Sequence, residues 1–153
     1  MGRKITEKVT WVGKIDWELN KFHGHEYSTE KGSSYNSYLV RDRKVALIDT
    51  VWKPFDEEFV DYLKQEIDLN KIDYIVMNHN ENDHSGALPA LMREIPDVPI
   101  YCTKKAKPSF ADSITKIGIM SMSKRGIPWI WATVNWYSLR RPCSIGRIRC
   151  LPI

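Results

Sequence analysis

Cysteine is scarce in this sequence: Cys102, Cys143 and Cys150 are the three among 153 residues, and no two form a CxxC pair. An odd, scattered set supplies neither a disulfide framework nor the closely spaced thiolates of a structural zinc site. No apolar run approaches the roughly 20 residues that cross a bilayer, so no membrane-spanning helix is expected. Low-complexity tracts are missing too. With 42% hydrophobic and 27% charged residues, the composition is that of a globular chain about one domain long, not a disordered one. Met1 to Asp16 carries basic residues but no apolar stretch, so no secretory signal is read there and the cytoplasm is the expected compartment.

Acidic residues nearly vanish after Lys107. Up to that point 16 Lys and Arg face 18 Asp and Glu, a net charge of −2; from Pro108 onward 7 face 1, a net of +6, and together these give the overall +4. The basic part also holds Trp129, Trp131, Trp136 and Ile-rich runs, which suit neither a solvated arm nor an amphipathic element. Two segments are therefore expected, 1–107 and a tail of different material, 108–153. Basic residues with interleaved tryptophans (Lys124, Arg125, Arg140, Arg141, Arg147 and Arg149) admit one non-enzymatic reading, a nucleic-acid-binding module.

The first segment has regular periodicity. Val9 to Val12 reads as a strand, and Tyr35 to Val40 with Lys44 to Ile48 as a hairpin turning at Arg41-Asp42-Arg43. Phe55, Phe59, Tyr62, Leu63 and Ile67 fall at helical spacing, with Asp56, Glu57 and Glu58 in the first turn where acids complement the helix dipole. Ile72 to Met77, apolar apart from Asp73, is of strand length and reads as a strand buried on both faces. A second helix over Gly86 to Ile95 and a strand over Val98 to Cys102 follow, and the alternation predicts an α/β fold.

Between the buried strand and the second helix stands Asn78-His79-Asn80-Glu81-Asn82-Asp83-His84-Ser85-Gly86. Four possible ligands occupy six residues. A loop at the carboxyl end of a buried strand can turn imidazole and carboxylate groups to one place, and a metal ion is the simplest reason to gather them. The plainer alternative is a polar surface loop in which Asp83 or Ser85 caps the helix.

The string NHNENDHSGALP, preceded by IDYIVMN, together with FHGHEYSTEKGSSYNSYLV and VALIDTV, resembles the amino-terminal metallo-β-lactamase-like domain of flavodiiron proteins, most closely the flavorubredoxin type. The likeness covers about Val9 to Lys105. It implies an αββα sandwich, of which only the first half is recognisable here, around a non-haem diiron centre that reduces nitric oxide or dioxygen. Matching the motif by position, His79 and Glu81 would ligate one iron, and Asp83 and His84 the other. His23 would lie on the substrate side of the centre, and Asp49 would orient a ligand histidine from outside the ligand set. His25 has no counterpart and is expected to face solvent. Zinc hydrolases of the same superfamily, the alternative enzymatic reading, have a histidine where this chain has Glu81; a hard anionic oxygen suits iron better.

Much of what the resemblance implies is missing. No His follows His84, and the later acids are Glu94, Asp97 and Asp112, so further histidines and a bridging carboxylate are not supplied. Neither a flavodoxin-like FMN domain nor rubredoxin-type CxxC pairs occur in the 153 residues. The expectation is a fragment, inactive alone, of an oxidoreductase served by rubredoxin or a flavoprotein reductase and forming homo-oligomers, with no membrane partner and with nucleic acid disfavoured. The change after Lys107 also suggests translation out of frame. Read one base earlier, Trp129-Ile130 must give Asp, Trp131-Ala132 Gly, Asn135-Trp136 Leu and Trp136-Tyr137 Val, whichever codons are used. With permitted codons Ile127 to Arg140 becomes DTLDLGNGKLVFIE and Pro142 to Cys150 becomes MLHWADSM, which resemble the family's next hairpin and its next histidine ligand; the end at Ile153 is then an accidental stop.

Overall fold

The computed structural model describes residues 2–22, 27–103 and 117–119. In chain order it contains β1 (Arg3–Lys4), β2 (Val9–Trp11), β3 (Lys14–Asp16), β4 (Lys21–Phe22), β5 (Tyr27–Ser28), β6 (Ser33–Tyr35), β7 (Tyr38–Arg41) and β8 (Val45–Ile48). After these come α1 (Asp56–Glu66), β9 (Tyr74–Met77), α2 (Asn82–Ser85), α3 (Leu88–Glu94), β10 (Ile100–Cys102) and β11 (Ile117–Ile119). Seven strands form one sheet in the order β1-β2-β7-β8-β9-β10-β11; β3 pairs with β6, and β4 with β5, in two small ribbons. The large sheet is antiparallel from β1 to β8 and parallel from β8 to β11. The mixed α/β architecture agrees with the expectation from sequence.

Register explains the core. Leu39, Leu47, Ile75 and Ile100 stand opposite one another across four strands, and with Phe59, Val60 and Leu63 of α1 and Leu88, Leu91 and Met92 of α3 they form one buried cluster. Strand side chains alternate between faces, so Val40, Ala46, Ile48, Tyr74 and Val76 point the other way, and these too are buried. That double burial is why β9 reads as an uninterrupted apolar run. Its parallel partners β8 and β10 are reached through α1 and through α2 and α3, and the carboxyl ends of β8 and β9 therefore lie side by side.

Two expectations need correction. The run Tyr35 to Val40 is not one strand: Tyr35 ends β6 in a ribbon with β3, while Tyr38 opens β7 in the main sheet. The step between them is held by polar contacts, with Trp11 Nε1 donating to Asn36 Oδ1 at 3.0 Å and Val12 N to Ser37 O at 2.9 Å. The second helix does not run from Gly86 to Ile95; α2 takes the preceding four residues and α3 starts at Leu88, with Pro89 in its first turn where no N–H is needed. The β11 strand lies past Lys107 and adds to the sheet through main-chain pairing with β10.

Truncating Leu63, which is fully buried between helix and sheet, is expected to cost about 2–5 kcal/mol as Leu63→Ala, measured by urea unfolding. Tyr74 gives a pH test. Burial, helped by the charges of Asp73 and Tyr101, pushes its phenol from 10.0 up to about 12. The unfolded chain releases this proton first, so stability is full below pH 10.0 and falls as pH rises toward about 12. Unfolding curves of Tyr74→Phe should show a shallower alkaline loss than the unsubstituted chain; identical slopes would refute this.

Candidate metal centre

The ligand turn grows directly out of the parallel pair β8–β9. Beyond Ile48, Asp49 N donates to Val76 O at 2.9 Å, and Asp49 then adopts the left-handed conformation (φ 54°), which Asp tolerates better than most residues. This twist turns its buried carboxylate back under the turn. Oδ1 accepts the main-chain N–H of Asn78 at 2.7 Å and, more weakly, that of His79 at 3.4 Å. Ser37 Oγ donates to Asp49 O at 2.9 Å from within the core. Burial pushes the Asp49 carboxyl from 3.8 up to about 6, against the opposing pull of the Asn78 N–H and the charge of His84. Asp49 was expected to orient a ligand histidine; its carboxylate accepts from the main chain of Asn78 and His79 and, at 3.5 Å, from the Asn78 side-chain amide.

Further along, Thr50 N and Thr50 Oγ1 both donate to His84 O, at 2.7 and 2.8 Å, and Ala87 N donates to Val51 O at 2.9 Å. The loop expected at 78–85 thus contains a single helical turn, α2, whose start is closed by His84 N and Ser85 N donating to Glu81 O. Ser85 Oγ also donates to Glu81 O, at 3.0 Å. Neither Asp83 nor Ser85 caps α2 or α3 with its side chain in the manner of the plainer reading. Gly86 is required by contact: a Cβ there would stand 2.3 Å from Lys53 N.

The four predicted ligands come together as two pairs. His79 Nε2 lies 3.1 Å from Glu81 Oε2, both about half exposed, and His84 Nε2 lies 3.3 Å from Asp83 Oδ2, both more deeply set. The two imidazoles meet edge to face with centroids 5.0 Å apart. Among the described residues no three His, Cys, Asp or Glu side chains are placed to hold one ion. Burial disfavours a charge on His84, yet the hydrogen bond and charge of Asp83, with Asp49 and Glu81, outweigh it and hold the imidazole pKa above its ordinary value. Burial likewise acts to raise Asp83, and the His84 hydrogen bond and charge overcome it, leaving that carboxyl low. The telling atom is His84 Nδ1, which is buried and has no hydrogen-bond partner. His23 and His25 lie outside the described residues. A groove of about 530 Å³ beside the end of α1, lined by Arg41, Lys64, Glu66, Asp68 and Lys71 among others, includes none of these ligands.

Residues 31–133 match the family model described as the metallo-beta-lactamase superfamily. The chain belongs to that superfamily. The anaerobic nitric oxide reductase flavorubredoxin of Citrobacter koseri is 57% identical over 111 residues, covering 72% of this chain and 22% of that protein. A flavorubredoxin homolog of Escherichia coli O157:H7 is 59% identical over 102 residues, 67% of this chain and 25% of that one. Among solved structures, the flavodiiron protein of Giardia intestinalis matches with a TM-score of 0.72 at 34% identity, covering 80% of this chain and 30% of its own. The rubredoxin oxygen:oxidoreductase of Desulfovibrio gigas matches with a TM-score of 0.71 at 33% identity, covering 78% and 30%. The chain thus spans about a quarter of the length of these curated relatives. The turn that carries the four candidate ligands follows the carboxyl end of β9.

Thr50 and Ser37 were not singled out from the sequence, because their work is done through contacts with distant residues. The acceptor role of Asp49 is testable. Asp49→Ala removes the acceptor and places a less tolerant residue at positive φ, and is expected to destabilise by about 1–3 kcal/mol; Asp49→Asn keeps an oxygen and tolerates the same φ, and should cost less. Equal losses in urea unfolding would contradict this.

Proposed function

We propose that this chain is the amino-terminal part of a flavodiiron oxidoreductase that reduces nitric oxide or dioxygen, and that it carries part of the iron ligand set: His79 and Glu81 for one ion, Asp83 and His84 for the other. The observation that supports it best is His84 Nδ1, a buried nitrogen without a partner on a turn crowded with carboxylates. A buried polar atom is rarely left unpaired unless something absent satisfies it. The donor set, two imidazoles and two carboxylates, fits a borderline metal in a mixed nitrogen and oxygen shell. Bound iron would supply the electrons and Lewis acidity that reduction of either gas requires.

The chain's own residues do the positioning. Asp49 and Thr50 fix the main chain on both sides of the turn, so the ligands start from set places. Glu81 disfavours the zinc-hydrolase reading because it brings anionic charge where hydrolytic relatives bring a neutral imidazole. His23 is proposed on the substrate side of the centre. FMN, carried by a separate domain in the family, and rubredoxin or a flavoprotein reductase would deliver electrons in the whole protein, which we take to be a cytoplasmic homo-oligomer. With ligands missing, the isolated chain should neither turn over nor hold two ions tightly. Among the described residues no helix is long and apolar enough to cross a membrane.

Residues after about Lys107 are proposed to be translated out of frame. The four forced codon pairs support this, as does the abrupt loss of acids; the nucleic-acid reading, which depends on that tail, is set aside. Sequencing the coding DNA should reveal the remaining ligands in an open frame one base away, and unrelated sequence there would defeat the proposal. Anaerobic titration of the full chain with Fe(II), using Co(II) as a spectroscopic stand-in, should show weak binding that falls by at least about tenfold in His84→Ala. Two equivalents of tightly held iron would overturn the incomplete site, and binding indifferent to His79→Ala and His84→Ala would overturn the ligand assignment.

A further inference from the structure

Tyr35 has no part in the proposed ligand set, yet its phenol is closely held by named partners. Its side chain is 1% exposed and its O–H donates to Asp16 Oδ2 at 3.1 Å. Asp16 is itself buried, and its other oxygen accepts the Glu18 N–H at 3.1 Å. The Tyr35 ring lies 5.9 Å, centroid to centroid, from both Trp52 and Phe55, and these two are 6.3 Å apart. The same Trp52–Phe55 segment packs on the ligand turn, where Gly86 leaves no room for a Cβ beside Lys53. Burial, then Asp16, then the nearby charge of Asp83 hold the phenol above its ordinary pKa.

Packing alone does not require this arrangement. A phenylalanine would fill the same aromatic cluster without bringing a second polar group out of water. What the pair adds is a proton donor aligned on a proton acceptor in a water-poor site, where hydrogen bonds are electrostatically strong. Loss of an electron from a phenol makes its O–H strongly acidic, and an aligned carboxylate gives that proton a place to go.

We propose that Tyr35 is a one-electron donor whose oxidation is coupled to transfer of its phenolic proton to Asp16. In the step, one electron leaves the phenol for a one-electron oxidant, the Tyr35 O–H bond breaks, and an O–H bond forms on Asp16 Oδ2. The products are a neutral tyrosyl radical, a carboxylic acid and the reduced oxidant; returning one electron reverses each change. The physiological oxidant rests on the iron reading above, since a redox metal on the adjoining turn is the natural source of oxidising equivalents. The donor itself does not depend on that reading.

The test supplies its own oxidant. Full chain without added metal is mixed with photogenerated tris(bipyridine)ruthenium(III), freeze-quenched and examined by electron paramagnetic resonance, which separates tyrosyl from tryptophanyl signals. The expected result is a persistent tyrosyl signal that is lost in Tyr35→Phe and formed more slowly, to lower yield, in Asp16→Asn. Circular dichroism establishes that each variant is folded; Asp16→Asn preserves volume and decides the matter even where Tyr35→Phe does not fold. No tyrosyl signal in the unsubstituted chain, the same signal in Tyr35→Phe, or undiminished yield in Asp16→Asn would each overturn the proposal. A chain that forms the Tyr35 radical but binds no iron would sink the metal reading alone.

Discussion

The hydrogen bonds that tie Asp49 and Thr50 to residues 76–84 are the constraint on which the rest of the structure depends. They continue the parallel β8–β9 register past the ends of both strands, first through Asp49 N to Val76 O, then through the Asp49 carboxylate to Asn78 N, and finally through Thr50 to His84 O. They fix the main chain that carries His79 and Glu81 relative to the sheet, although both side chains are about half exposed. A strained residue in the middle of this clamp is consistent with a general pattern, in which left-handed non-glycine residues are retained where the surroundings over-determine them.

Charge gives the clamp its meaning. Asp49, Glu81 and Asp83 gather around His84, and they favour the imidazolium strongly enough to overcome its burial. A site that gathers carboxylates while leaving a buried imidazole nitrogen unpaired is short of positive charge; a metal ion would supply it and, once the imidazolium proton is lost, would take that nitrogen's lone pair. Tyr35 and Asp16 form a second buried polar pair beside the same turn, joined to it through the Trp52–Phe55 segment.

Sequence reading recovers elements whose signal is local. The helix α1 is visible because its apolar residues repeat at helical spacing and its acids sit in the first turn, and β9 because burial on both faces leaves it no polar residue. The turn after β9 stands out because four candidate ligands, His79, Glu81, Asp83 and His84, fall within six positions. What escapes is set by distant partners. In Tyr35 to Val40 the turn-forming Asn36 and Ser37 give only a weak local sign that the chain changes sheets there, and the break is made by contacts with Trp11 and Val12. The Asp49 carboxylate's grip on the main chain of residue 78, and the pairing of Tyr35 with Asp16 across 19 residues, likewise belong to tertiary structure.

X-ray absorption at the iron edge of the Fe(II)-loaded chain tests the ligand turn most directly, because it identifies donor atoms without relying on turnover. Iron held by the pairs His79–Glu81 and Asp83–His84 gives a first shell of nitrogen and oxygen with imidazole multiple scattering, and that scattering diminishes in His84→Ala. A sulfur shell from the cysteines, or an oxygen shell lacking imidazole scattering, would contradict it.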